Sequence, residues 1–501
     1  MTPPESISAA TLMTGGGDAR IRLGPATGLN RYFSAPRPRD LLAYASSTAN
    51  DISPAAYEAA ERVLAELGPA FSAPAYAARL EALRGRIRRA YGVADEVAIV
   101  FAPSGTDLEY VALACVRGRG SGGTNAILLG ADEVGSGCIQ SAHGLFFARE
   151  TALDVEVTPG APVPGLGGAA VDLIDVPVRD AAGKVRPSGE IADLMAASIA
   201  GAAAADRHSL VHIVHGSKTG LILPSLDDVD RLANPRATLV VDACQARITG
   251  AAVNDYLVRG AIVFVTGSKF MGGPPFSGFA LVPRAFADAA APLPEGFASI
   301  FRRAEWPAGW PGAESLPDSF NIGLLLRLEA SIFELERFQA LPAETVERAI
   351  LAFHAAVRAE LVEPLPIRRV APYPPGHVED ADTHPIEMRT LSTLDLSALL
   401  PGGAGFEQAQ DWHKAMALDG VRVGQPVKCV RLADGSWGAT LRIGLSMPQV
   451  TEAASLSAEA MQTRFAADMA RIREALIRAA QAPLPFPAEG GPHRREPAMG
   501  R

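Results

Sequence analysis

Between residues 97 and 282 the chain alternates short apolar runs with longer helical stretches, and this alternation limits its fold more than any other feature. The runs are VAIVF at 97–101, AILL at 126–129, LVHIV at 210–214, TLVV at 238–241, AIVFVT at 261–266 and GFALV at 278–282. Strands that are apolar on both faces and separated by helices predict a mostly parallel sheet covered on both sides, the doubly wound α/β class. VEV at 155–157 and LIDVPV at 173–178 read as weaker strands. Helices are expected at 54–67, 74–91, 107–117, 137–149 and 188–204, the first with Ser53 as N-cap and Pro54 at its first position.

After Pro311 the pattern changes. Helical segments at 320–338 and 343–362 lead into a Pro-rich stretch at 364–375. A strand-like segment at 386–391, a helix at 405–418, strands around 421–431 and 438–445 and an Ala-rich helix at 451–481 follow. This reads as a smaller α+β domain with an antiparallel sheet. The expected division is an N-terminal arm at 1–50, a large domain at 51–319, a connecting helix with the small domain at 320–481, and a disordered tail at 482–501. Net charge is −9 with no basic block, which argues against nucleic-acid binding by charge. No apolar run reaches the roughly 18 residues of a membrane helix. The first residues lack the basic and apolar regions of a secretory signal. Cys115, Cys138, Cys244 and Cys429 are scattered without paired metal spacing and read as reduced thiols of a cytoplasmic protein, with no metal site.

In open α/β sheets ligands sit beyond the carboxyl ends of the strands. VAIVF runs into Ser104-Gly105-Thr106 just before a helix, where small residues and hydroxyls offer backbone N–H groups and a positive dipole end to a phosphate. A capped strand-to-helix turn has the same appearance. TLVV ends in Asp242, a carboxylate that needs a partner once desolvated or caps the next turn. AIVFVT ends in Thr266-Gly267-Ser268-Lys269. Only five of the 46 basic residues are lysines (184, 218, 269, 414 and 428), so a lysine in this dry Gly-rich turn is conspicuous. Unlike arginine, such a lysine can serve as a nucleophilic amine.

A phosphate-like turn, then an acid, then a lysine 27 residues after that acid resembles the order in the aspartate-aminotransferase superfamily, the fold-type I pyridoxal-phosphate enzymes. Asp242-x-x-Gln245, Thr266-x-Ser268-Lys269 and Ser217-Lys218-Thr219-Gly220 with Pro224 are most similar to the class V aminotransferase and cysteine desulfurase branch, over about residues 50–480. The resemblance implies that Lys269 forms the Schiff base and that Asp242 pairs with the pyridine nitrogen. It places Gln245 and Ser217 near the ring hydroxyl, and Ser104, Gly105, Thr106, Thr266 and Ser268 around the phosphate. Arg442, in LRIGLS at 441–446, falls where relatives bind the substrate carboxylate.

Some positions depart from the branch. The stretch 130–137 supplies no aromatic ring for the cofactor face, and His143 lies further along. Where relatives bring a Thr from the partner subunit, this chain reads Glu314-Ser315-Leu316-Pro317-Asp318, with Ser315 as a candidate stand-in. His212 and His215 lie three apart on a strand and face opposite sides, which rules against a shared metal, although His215 remains a candidate for the cofactor edge. Cys429 has the spacing of the persulfide-forming cysteine of some desulfurases, but Val427 and Lys428 replace the neighbouring histidines, and a thiol filling a small-domain site is the simpler reading. The arm carries Gly15-Gly16-Gly17-Asp18-Ala19-Arg20; from it Arg20, Asn30 or Tyr32 is expected to reach a partner subunit's pocket, or else the arm only strengthens a dimer. The expectation is a homodimeric enzyme acting on an amino acid or amine, first an aminotransferase, second a C–S lyase, and third a non-catalytic protein of the same fold.

Overall fold

The computed structural model describes residues 8–68, 71–131, 133–135, 137–166, 170–371 and 389–481. The expected tail at 482–501 lies outside them. Strand β1 is Leu42–Tyr44; the apolar runs then become β2 (Ala98–Ala102), β3 (Thr124–Leu129), β4 (Val171–Val176) and β5 (His208–His215). Next come β6 (Ile222–Leu223), β7 (Ala237–Asp242), β8 (Ile262–Thr266) and β9 (Gly278–Val282). The order across the sheet is β2-β9-β8-β7-β5-β3-β4, with β6 paired to β5 off this path. Pairings from β8 through β7, β5 and β3 to β4 are parallel, while β9 runs antiparallel to both its neighbours. Every residue of β2, β3, β5, β8 and β9 is buried, as continuous apolar runs require; β4, at the sheet edge, is partly exposed.

The smaller part holds β10 (Arg368–Val370), β11 (Leu391–Asp395), β12 (Val421–Val423) and β13 (Thr440–Gly444). Here β10, β11 and β13 form an antiparallel sheet, and β12 pairs in parallel with β1. The strand expected at 386–391 therefore lies over Leu391–Asp395, and residues 386–388 are outside the described set. Four other expectations shift for local reasons. No strand forms at 155–157, where Asp154 turns the chain at φ +56 and Pro159 follows; only Glu156 bridges, to Glu150. The helix expected at 137–149 is Cys138–Ala142, ended by Gly144 at φ +70. The helix expected at 343–362 is Ala343–Val357 followed by a π turn at Arg358–Val362. The final helix is two, Met447–Ala454 and Ala458–Gln481, with the Ser457 hydroxyl accepting from the Ala460 N–H at the second start.

The N-terminal arm folds back on its own chain. It carries the helical turns Ala9–Leu12 and Ala19–Ile21 besides β1. Its anchor is Arg327, fully buried on the helix Ile322–Gln339. The guanidinium donates to the carbonyls of Met13, Gly15 and Gly16 at 2.7–3.0 Å and to that of Phe276 at 2.7 Å. Burial lowers its pKa to about 9, and four carbonyls share what charge it carries. Arg327→Met would orphan these acceptors together; the expected loss is about 3 kcal/mol or more in urea unfolding, since each buried unsatisfied group costs about 1–3 kcal/mol.

Candidate active site

The carboxyl ends of β2, β7 and β8 open on one cavity of about 650 Å³. Ser104, Gly105, Thr106, Ser217, Asp242, Gln245, Thr266, Ser268, Lys269 and Arg442 all line it. The ten positions singled out in the sequence thus share one wall system, though they come from both parts of the chain.

At one end lies the turn between β2 and the helix Leu108–Val116. The Ser104 hydroxyl donates to Asp107 Oδ2 at 2.5 Å. A Cβ built on Gly105 would stand 3.0 Å from both Cys244 Sγ and Thr266 Cγ2, so the turn sits against β8 only because residue 105 has no side chain. Thr266 Oγ1 donates to the Cys244 carbonyl at 2.6 Å, and the Ser268 hydroxyl lies 3.3 Å from Thr266 Oγ1. Hydroxyls of Ser104, Thr106, Thr266 and Ser268 gather near a helix N-terminus whose backbone N–H groups suit an anion; here the Ser104 and Thr266 hydroxyls donate within the protein.

In the middle, Asp242 closes β7, and its Oδ1 accepts the Cys244 N–H at 2.9 Å. Gln245 uses its amide in both directions: Nε2 donates to the Ser47 carbonyl at 3.2 Å and Oε1 accepts from Arg247 at 2.7 Å. Lys269 follows β8 by three residues, and the Asn50 side chain donates to the Lys269 carbonyl at 2.5 Å, fixing the backbone that carries the amine. Val134, Gly135 and Cys138 line the wall for which no aromatic ring was found in the sequence.

The far end is cationic. Arg442 is buried on β13 and donates to the carbonyls of Gln425, Ser47 and Lys218 and to Thr48 Oγ1 at 2.8–3.2 Å. Among the described residues no carboxylate lies within ion-pair distance of it, and burial lowers its pKa to about 10. Glu133 is spent elsewhere. It takes Arg179 at 2.6 Å, the Ser217 hydroxyl at 2.7 Å and the Thr219 hydroxyl at 3.0 Å. Burial alone would raise this carboxyl, but Arg179 and the hydroxyls outweigh it and hold it below the usual range. Ser217 consequently turns its hydroxyl to Glu133. Lys218 and Lys428, which carried no role in the sequence, also line the cavity. Burial, joined by the charge of Arg442, lowers the Lys218 amine from its ordinary value.

Other candidates lie elsewhere. Arg20 and Tyr32 of the arm line this cavity from within the same chain, whereas Asn30 caps its own loop, accepting from the Tyr32 and Ser34 N–H groups. His143 is not among the cavity-lining residues; Ser315 sits on a short exposed helical turn and bonds Gly312. His212 Nε2 stands 2.6 Å from Glu109, deep in the core, and His215 bonds Tyr256 at 3.1 Å rather than lining the cavity. Cys429 is buried and its thiol is pushed up to about 12, the state of a packing residue rather than of a reactive thiolate. The sequence placed Lys218 in the family-like run 217–220 and Arg20 in the arm, and folding brings both to the lining of one cavity.

No family model matches the sequence, and no curated protein matches it. Solved structures do. The cysteine desulfurase CsdA from Escherichia coli is similar at a TM-score of 0.54 and 15% identity, over 88% of this chain and 94% of that one. Ureidoglycine-glyoxylate aminotransferase from Bacillus subtilis gives 0.52 and 14%, over 88% and 98%. A cysteine desulfurase from Thermococcus onnurineus gives 0.52 and 15%, over 87% and 95%. The chain therefore has the fold of the fold-type I enzymes, as the resemblance implied.

One titration follows from the turn. Burial pushes the Asp107 carboxyl up to about 7, against the Ser104 hydroxyl and the Arg20 charge. The folded chain keeps a proton there that the unfolded chain releases near pH 4. Stability from this group is complete below that pH and is lost as pH rises towards 7, by about 1.4 kcal/mol per unit. Asp107→Asn removes the slope, so the cofactor-free variant should gain about 3 kcal/mol on the parent between pH 5 and pH 7 in urea unfolding.

Proposed function

We propose that the protein is a pyridoxal-phosphate-dependent enzyme acting on an amino acid or amine, with transamination as its reaction. The observation that carries this is one cavity lined by Lys269, Asp242 and the Ser104-Gly105-Thr106 turn. The residues fit the cofactor: hydroxyls and a helix N-terminus suit its phosphate, a carboxylate its pyridine nitrogen, and an amine its aldehyde. When bound, the cofactor supplies an electron sink for charge developing at the substrate's Cα.

In this reading the chain's own groups divide the work. Lys269 Nζ would hold the cofactor's aldehyde and would move a proton at the substrate's Cα. Asp242, steadied by the Cys244 N–H, holds a proton on the pyridine nitrogen. Ser104, Gly105, Thr106, Thr266 and Ser268 bind the phosphate. Gln245 would approach the ring hydroxyl, as would Ser217, whose own hydroxyl is held by Glu133. Arg442, a buried cation with no acidic partner among the described residues, takes the substrate carboxylate. The small domain's Arg442 and the large domain's Lys269 would thus hold the two functional groups of one amino acid. The reading also includes a homodimer in the cytoplasm; all four cysteines are free and buried, which suits a reducing compartment.

Added pyridoxal phosphate should give a visible absorption band that Lys269→Ala abolishes; a protein that stays colourless with excess cofactor would overturn the proposal. An amino acid should then convert bound cofactor stoichiometrically to pyridoxamine phosphate, with one keto acid released. Ammonia and keto acid released with the cofactor unchanged would instead make the protein a lyase. Arg442→Lys, which keeps the charge but loses the fork, should raise KM for the amino acid about tenfold.

A further inference from the structure

We propose that Arg20, delivered by the glycine strap of the same chain, is a ligand of the cofactor's phosphate. This rests on the reading of the cavity as a pyridoxal-phosphate site. The guanidinium is used on two edges. Its Nε and Nη2 meet Asp18 at 2.7–3.0 Å. Its Nη1 and Nη2 lie 3.4 Å from the Thr106 and Ser104 hydroxyls, the same hydroxyls that gather at the anion-suited end of the cavity. A planar fork presented beside two hydroxyls at a helix N-terminus has the geometry that recognises two oxygens of one phosphate.

The strap is built to hold that fork. Arg20 lies over the rings of Phe147 and Phe276, at 5.0 and 4.7 Å. Phe276 holds φ at +73, a conformation costly for an aromatic residue, with its carbonyl fastened by Arg327. Upstream, Gly16 has φ +65, and a Cβ there would stand 1.8 Å from Asn321 Oδ1; one on Gly17 would stand 2.7 Å from the Phe276 ring. The three glycines thus form a bent segment fastened to the helix Ile322–Gln339 through Arg327, and its exit delivers Asp18 and Arg20. Two carboxyls, Asp18 and Asp107, also face this end. Asp18 holds the Nε and Nη2 edge of Arg20, and Asp107 keeps its proton up to about pH 7, so the Nη1 edge beside Thr106 is left to the phosphate.

The test compares pyridoxal phosphate with pyridoxal, which keeps the aldehyde and ring but lacks the phosphate. Dissociation constants are read from absorbance titrations of wild type, Arg20→Gln and Arg20→Lys. Arg20→Gln should weaken pyridoxal phosphate roughly 10- to 100-fold, the range of a lost charge-assisted bond pair, and change pyridoxal less than twofold. Arg20→Lys should fall between. Equal weakening of both ligands would assign Arg20 a structural role only and overturn the proposal, as would no weakening of either. If Arg20→Gln does not fold by circular dichroism, Arg20→Lys decides by the same ratio. Wild type binding neither compound would sink the cofactor reading itself, an outcome distinct from wild type binding both with the ratio unmoved by substitution.

Discussion

The cost of burying an unpaired polar group sets the layout of this protein. The central strands of the large sheet are dry on both faces, and the carboxyl ends of β2, β8 and β7 share one rim, with β9 between β2 and β8. Two carboxylates that enter the interior arrive with partners. Glu133 is met by Arg179, Ser217 and Thr219, and Glu109 is met by His212, whose imidazole that carboxylate raises against the opposing effect of burial. Arg442 is the departure inside the cavity, its guanidinium held by carbonyls and a hydroxyl rather than by an acid.

The preference for arginine takes on a physical meaning in this setting. Buried arginines fasten distant segments through backbone carbonyls: Arg84 to Ile99 and Ala304, Arg422 to Tyr32 and Ala49, Arg327 to the strap. Five fixed donors can satisfy several carbonyls at once, which a single ammonium cannot do in a plane. Lysine is then left for places where a compact amine is useful. Lys218, Lys269 and Lys428, three of the chain's five, line the cavity.

The sheet was legible because continuous apolar runs have one common use, and the strand-end residues were legible because that architecture leaves ligands only one rim. Asp242, Lys269 and Ser104 needed no knowledge of packing. Helix lengths were less legible where a single residue decided them, as Gly144 did after Ala142. The direction of a side chain was not legible at all. Ser217 sits at the cavity yet gives its hydroxyl to Glu133, a partner 84 positions away that no local pattern reveals. The dock of the arm was hidden for the same reason: Gly15, Gly16 and Gly17 name no partner until the helix Ile322–Gln339 is placed.

The strap and its helix are separated by more than 300 residues along the chain, since Arg327 reaches back to Met13, Gly15 and Gly16. Chains emerge from the ribosome N-terminus first, so the segment bearing Arg20 is among the earliest made and waits longest for its dock. Closing so long a loop is entropically unfavourable until the intervening sheet has shortened the path. By loop-closure entropy the strap is expected to seat late, after the sheet and the helix Ile322–Gln339 are in place. The wall it adds to the cavity records that the rest of the large domain has been assembled.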